Sequence, residues 1–190
     1  MAEPSGEGER LSLEEFLLFM NRQEVAALTH EDLLDRVTRL RLSNELIASR
    51  TRFATTDYAR NLVCRTPEFE LLVLCWRPGQ HSTIHDHGGS LNAIKVYSGQ
   101  LTSRLYEPAD GTPPQAVGPA RQIGERVTRP GDELAGIDRQ GIHQLANASD
   151  ADLITIHVYA PPLMHLTVYT EDAPGTELRP MRYTLSEDML

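Results

Sequence analysis

No run of apolar residues in this 190-residue chain approaches the roughly 20 that cross a bilayer as a helix, so no membrane-spanning helix is expected. Basic residues are outnumbered, 18 Lys and Arg against 27 Asp and Glu, for a formal charge of -9. A phosphate-backbone partner would require a dense cationic face to displace counterions, and nucleic acid is therefore not an expected partner. Cysteine is nearly absent: Cys64 and Cys75 are too few for a disulfide framework and are expected as buried thiols. The opening MAEPSGEGER lacks the basic and apolar regions of a secretory signal, and a cytoplasmic location is the expectation. No linker-like tract, second composition regime or repeat of fixed period divides the chain.

What is present is an ordinary globular composition, 40% apolar and 24% charged. The expected layout is a flexible terminus over 1–10 and a single domain over 11–190, helical over 11–52 and a β-barrel over 58–190. Ser12 with Glu15 and Thr29 with Asp32 form capping-box patterns ahead of apolar residues at helical spacing, and Ser43 opens a third short helix through about Arg50. From Tyr58 onward short runs rich in β-branched and aromatic residues are separated by Gly, Pro and Asp. They predict strands at Arg60 to Thr66, Glu70 to Arg77, Leu91 to Tyr97, Leu101 to Tyr106, Gln122 to Thr128, Gly141 to Ala146, Leu153 to Tyr159, Leu166 to Tyr169 and Arg182 to Leu185. AlaAspGlyThrProPro at 109–114 reads as a turn. The fold class expected is mainly β, an antiparallel barrel or jelly roll behind a short helical segment.

Three of the seven histidines form a pattern. His85 and His87 flank Asp86, and in an extended segment side chains two apart face one way while the middle one faces away. The pair can share one metal ion, although such a pair also suits two surface or hydrogen-bonded histidines. Imidazole serves Fe, Zn, Ni and Cu alike, so spacing does not choose the metal. Asp86 is expected to solvate the outer face or orient a ligand. His81 shares the parity but lies roughly 13 Å along the strand from His85, outside the ligand set. Gly79, the HisAspHis triplet and Gly99, then Gly124, Pro130, Gly131, His143 and Asn147, resemble the two motifs of the cupin barrel, the double-stranded β-helix. The glutamate usual after HisXHis is replaced by Asn92, which offers no carboxylate. Further on, ThrIleHisValTyr at 155–159 alternates so that Thr155, His157 and Tyr159 share one face.

Taken together, TyrAlaArgAsnLeuVal at 58–63, CysTrpArgProGlyGlnHisSerThrIleHisAspHis at 75–87, GlyIleHisGlnLeuAlaAsn at 141–147 and ThrIleHisValTyrAlaProPro at 155–162 resemble the cysteine dioxygenase family of thiol dioxygenases. The resemblance implies an enzyme with one iron(II) per chain that adds both atoms of O2 to the sulfur of a small thiol. It implies His85, His87 and His143 as iron ligands, Arg60 as a clamp for the substrate carboxylate, and Thr155, His157 and Tyr159 as the catalytic hydrogen-bonded relay. Tyr58, Asn92 and Met164 are expected to line the substrate pocket, with His165 a further candidate. Many animal members carry a cysteine at the position of Asn92 that crosslinks to the tyrosine matched by Tyr159, so Tyr159 is expected here as an unmodified phenol.

The resemblance favours L-cysteine as substrate, because family members that favour 3-mercaptopropionate typically have a glutamine where Arg60 stands. Alternatives with the same chemistry are 3-mercaptopropionate, mercaptosuccinate and ergothioneine. A metal-dependent cupin isomerase or a cupin binding protein is the alternative from another class. A small-molecule thiol and O2 are the partners expected, and a monomer is the expected state.

Overall fold

A computed structural model describes residues 10–21, 27–109, 119–137, 139, 141–171 and 177–185. Residues 1–9 of the expected flexible terminus, and all but Ala109 of the turn expected at 109–114, lie outside the described residues.

Three short helices come first, α1 (Leu13–Met20), α2 (His30–Arg39) and α3 (Asn44–Arg50). Each begins at the expected hydroxyl cap: Ser12, Thr29 and Ser43 accept from the backbone N–H of Glu15, Asp32 and Leu46. Glu15 and Asp32 complete capping boxes by accepting from the cap N–H in return. Helices this short are marginal in water, and these are held by their buried face, Phe16, Met20, Leu33, Val37 and Ile47.

Among the described residues ten strands follow: β1 (Ala59–Arg65), β2 (Glu70–Trp76), β3 (Ile84–His85), β4 (Leu91–Ser98), β5 (Leu101–Pro108), β6 (Ala120–Thr128), β7 (Ile142–Ala146), β8 (Leu153–Ala160), β9 (His165–Tyr169) and β10 (Glu177–Pro180). They form two antiparallel sheets, one of order β1-β2-β8-β4 and one of order β10-β9-β3-β7-β5-β6. Between β4 and β5 the chain turns at Gly99, whose φ of +86° and approach to Asp152 O, 2.6 Å from where a Cβ would stand, leave room for no side chain.

The four-stranded sheet is covered on both faces, which explains why β2 reads as an almost unbroken apolar run. Leu71, Val73 and Cys75 pack outward with Ile156, Val158 and Ala160 of β8 against Phe16, Met20, Leu33 and Val37 of the helices. Phe16 meets Phe69 edge to face at 5.8 Å. Leu72, Leu74 and Trp76 face the other way, into an interior shared with Ile94 and Val96 of β4 and with Leu101 and Leu145 of the opposing sheet. The result is the expected mainly β fold, a cupin-type double-stranded β-helix with its helices stacked on one outer face.

Three expectations are corrected. The HisAspHis segment contributes a two-residue strand, β3, that the sequence pattern does not announce, and His87 lies just beyond it. The last strand among the described residues is Glu177–Pro180 rather than Arg182 to Leu185. Tyr183 and Leu185 alternate as a strand would, but the segment meets β1 only through an isolated bridge of Leu185 with Asn61, held by hydrogen bonds from Thr184 N to Arg60 O and from Leu62 N to Leu185 O. Of the two thiols, Cys75 is buried and Cys64 only half-buried.

Candidate active site

The barrel interior brings the three histidines together. His85 and His143 are direct cross-strand partners on β3 and β7, so their side chains share one face. His87 reaches the same point from the turn after β3, where Gly88 and Gly89 take positive φ. Asp86 holds that turn: its Oδ1 accepts from the N–H of Gly88 and Thr167, and its Oδ2 from the hydroxyl of Tyr169 at 2.8 Å. Asp86 is therefore a buried strap between the histidine segment and β9; of the two expected roles, solvating the outer face is corrected, and the turn it holds is the one that carries His87.

The imidazoles of His85, His87 and His143 are buried, and each can offer one ligand atom with all three atoms within 4.8 Å of one another. Nε2 of His143 lies 3.2 Å from Nε2 of His87. Nδ1 of His85 is 2.8 Å from Thr83 O, which fixes that nitrogen as the donor and leaves Nε2 with its lone pair. Nδ1 of His87 is buried without a hydrogen-bond partner among the described residues. Burial pushes His85 down to about 4, and burial followed by the neighbouring histidines pushes His87 and His143 well below the usual histidine range. Three neutral, convergent imidazoles fit a divalent metal ion, and no carboxylate joins them among the described residues.

Beside the triad runs a hydrogen-bonded row on β8. Nε1 of Trp76 donates to Thr155 Oγ1 at 2.9 Å, Thr155 Oγ1 lies 2.9 Å from His157 Nε2, and His157 Nδ1 lies 3.1 Å from the Tyr159 hydroxyl. Indole can only donate, so Thr155 Oγ1 accepts from Trp76; a Thr155 O–H given to Nε2 would place the imidazole proton on Nδ1, facing the tyrosine oxygen. In that tautomer the Tyr159 O–H is turned outward from the row. Burial raises the Tyr159 pKa above the usual phenol range and keeps it protonated. Its ring stands perpendicular to that of His87, 5.1 Å between centroids.

Arg60 of β1 extends over the Tyr159 ring, Cζ 5.6 Å from the centroid, and is 5% exposed. Its Nη2 donates to Glu70 Oε1 at 3.2 Å, while its buried Nε has no partner among the described residues. Glu70, fully buried, also accepts from Leu163 N and from the Tyr183 hydroxyl. A cavity of about 480 Å³ opens against this group, lined by Tyr58, Arg60, Thr83, Arg179, Met181 and Thr184 among others.

The family model for cysteine dioxygenase type I matches residues 22–172. The chain belongs to the cysteine dioxygenase type I family. Cysteine dioxygenase type 1 of Homo sapiens is 33% identical over 113 residues, 58% of this chain and 54% of that protein. The Danio rerio relative of the same description is 30% identical over 125 residues, 63% of this chain and 61% of that one. The chain thus spans between about half and six-tenths of the length of these curated relatives. A solved structure from Bacillus halodurans, 13% identical, shares the fold with a TM-score of 0.50, covering 74% of this chain and 88% of that one.

In this cysteine dioxygenase family member the expected site residues fall into two groups. His85, His87, His143, Thr155, His157, Tyr159 and Arg60 converge on the barrel interior. Tyr58 is half-buried, stacks on Trp76 at 4.1 Å and lines the cavity. Asn92, fully buried, sits directly across from Tyr159 on β4; its Nδ2 donates to Val158 O and its Oδ1 has no partner among the described residues. Met164 is not brought to the site. It is 47% exposed, with its thioether against Arg65, because Leu163 takes the inward position at that step. His165 is likewise exposed, whereas His81, also exposed, lines the cavity beside Arg60. Sequence reasoning missed Glu70, Trp76, Met181 and Tyr183. An acid at the head of the apolar run ELLVLCW was the one available signal.

Proposed function

We propose that this chain is a thiol dioxygenase that holds one iron(II) through His85, His87 and His143 and converts L-cysteine to cysteine sulfinic acid, both atoms of O2 being added to sulfur. The observation that carries the reading is a buried all-imidazole triad beside a buried arginine that faces a cavity. Neutral ligands leave the charge of a divalent ion uncompensated, which draws an anionic sulfur. Iron(II), when bound, would supply the redox chemistry that joins O2 to that sulfur.

The protein's own groups supply the rest. Arg60 offers its unpartnered Nε–H to a substrate carboxylate, fixing the end of the molecule remote from sulfur. Tyr159, kept neutral by burial and held by His157, presents its O–H as a donor toward the reacting atoms. The barrel walls exclude bulk water. As part of the same reading, residues 11–190 act as one domain, as a monomer in the cytoplasm. No helix among the described residues is long and apolar enough to cross a membrane.

The test is anaerobic reconstitution of the purified protein with iron(II), followed by O2 uptake and sulfinate analysis with cysteine, 3-mercaptopropionate, mercaptosuccinate and ergothioneine. Cysteine is expected to give the highest kcat/KM, and the absence of thiol-dependent O2 uptake with every thiol would sink the enzymatic reading. Tyr159→Phe is expected to lower turnover by about two orders of magnitude, the usual cost of one catalytic donor, with iron content unchanged. Loss of iron in that variant would make the tyrosine a structural support instead.

A further inference from the structure

The residue that holds Arg60 has no part in the relay or the metal triad. Glu70 stands at the head of β2, directly across the ladder from Tyr159, with its carboxylate fully buried. It accepts from three donors: Arg60 Nη2, the backbone N–H of Leu163 and the hydroxyl of Tyr183. Arg60 is itself 5% exposed and lines the cavity, with a buried Nε that no described residue satisfies. One edge of the guanidinium is thus occupied by a carboxylate of the protein, and another part of it is left with an unmade hydrogen bond.

We propose that Glu70 is a selectivity residue: an internal carboxylate that already neutralises Arg60 and so limits how much a substrate gains by carrying a carboxylate of its own. This rests on the reading of the site as one for small thiols. A guanidinium buried without a counter-ion is strongly disfavoured, and an anionic ligand that relieves it binds tightly. With Glu70 in place the arginine is satisfied in charge before substrate arrives. The incoming carboxylate then gains chiefly the hydrogen bond that Nε lacks. Tyr183 moderates the effect, since its hydroxyl draws part of the Glu70 charge away from Arg60.

The test compares two thiols that share the amine and the sulfur and differ only in the carboxylate, cysteine and 2-aminoethanethiol. Binding of each to the iron(II)-loaded protein is measured anaerobically, and the quantity read is the ratio of their dissociation constants. Glu70→Gln keeps the size of the side chain and its acceptor oxygen, and it is expected to raise the preference for cysteine by about tenfold, the scale of a close charge pair. An unchanged or reduced preference would overturn the proposal. Tyr183→Phe leaves Glu70 in place with one donor fewer and is expected to lower the preference; no change, or a rise, would also overturn it. This second variant decides the matter if Glu70→Gln does not fold. If wild-type protein binds neither thiol, the functional reading falls and this inference with it. If it binds both and the ratio does not move in the variants, this inference alone falls.

Discussion

His87→Ala protein, reconstituted anaerobically with iron(II), is expected to remain folded and to come off a desalting column with almost no metal. His87 is the triad member that can be removed with least damage to the barrel, because it lies beyond β3 in a turn that Asp86 holds through backbone and hydroxyl bonds of its own. The other two histidines pair across a strand ladder, where backbone hydrogen bonds would still hold but the facing side chains would be disturbed. Two imidazoles in place of three remove a ligand outright. The loss in affinity should exceed the roughly 10–100-fold that follows from disturbing a residue that merely supports a ligand. Metal analysis gives the answer directly, and thiol-dependent O2 uptake should vanish in parallel. Stoichiometric iron in this variant would mean that the ion sits elsewhere.

Arg60→Gln is expected to do two things at once. It strands Glu70, a fully buried carboxylate that keeps only Leu163 N–H and the Tyr183 hydroxyl, and breaking a buried pair from one side costs about 3–5 kcal/mol of stability. It also removes the proposed donor for a substrate carboxylate, so kcat/KM for cysteine should fall far more than that for 2-aminoethanethiol. The two effects separate in the double variant Arg60→Gln with Glu70→Gln. Stability measured by urea unfolding should largely return, because neither charge is then left alone, while the preference for cysteine should stay lost. A double variant as unstable as the single one would show that the pair is not the source of the cost. Equal losses for both thiols in Arg60→Gln would argue against a carboxylate clamp.

How far each of these features can be read from the sequence depends on how local its physics is. The three helix starts are legible because a cap and its N–H partner lie three residues apart, as in Ser12 with Glu15. The relay is legible because Thr155, His157 and Tyr159 share one strand and one face. Glu70 is not, since its link to Arg60 exists only after β1 and β2 pair, and its link to Tyr183 only after the chain end returns to β1. The position of β10 was misread for a related reason. Its four residues are all exposed, so no apolar alternation marks it. The alternation that does exist, Tyr183 and Leu185, belongs to a segment that packs Tyr183 against the barrel and pairs with β1 only through one isolated bridge. Met164 was misplaced because a residue after the two prolines has no strand parity to assign its direction.

Trp76 is the only tryptophan in the sequence. Its indole is fully buried, stacked on Tyr58 at the cavity wall and hydrogen-bonded to Thr155 at the foot of the relay. The chain therefore carries a single built-in fluorophore wired to the place where chemistry is proposed to occur. Its emission should be blue and quenched in step with loading of the triad or the cavity, so that occupancy can be titrated optically in unlabelled protein.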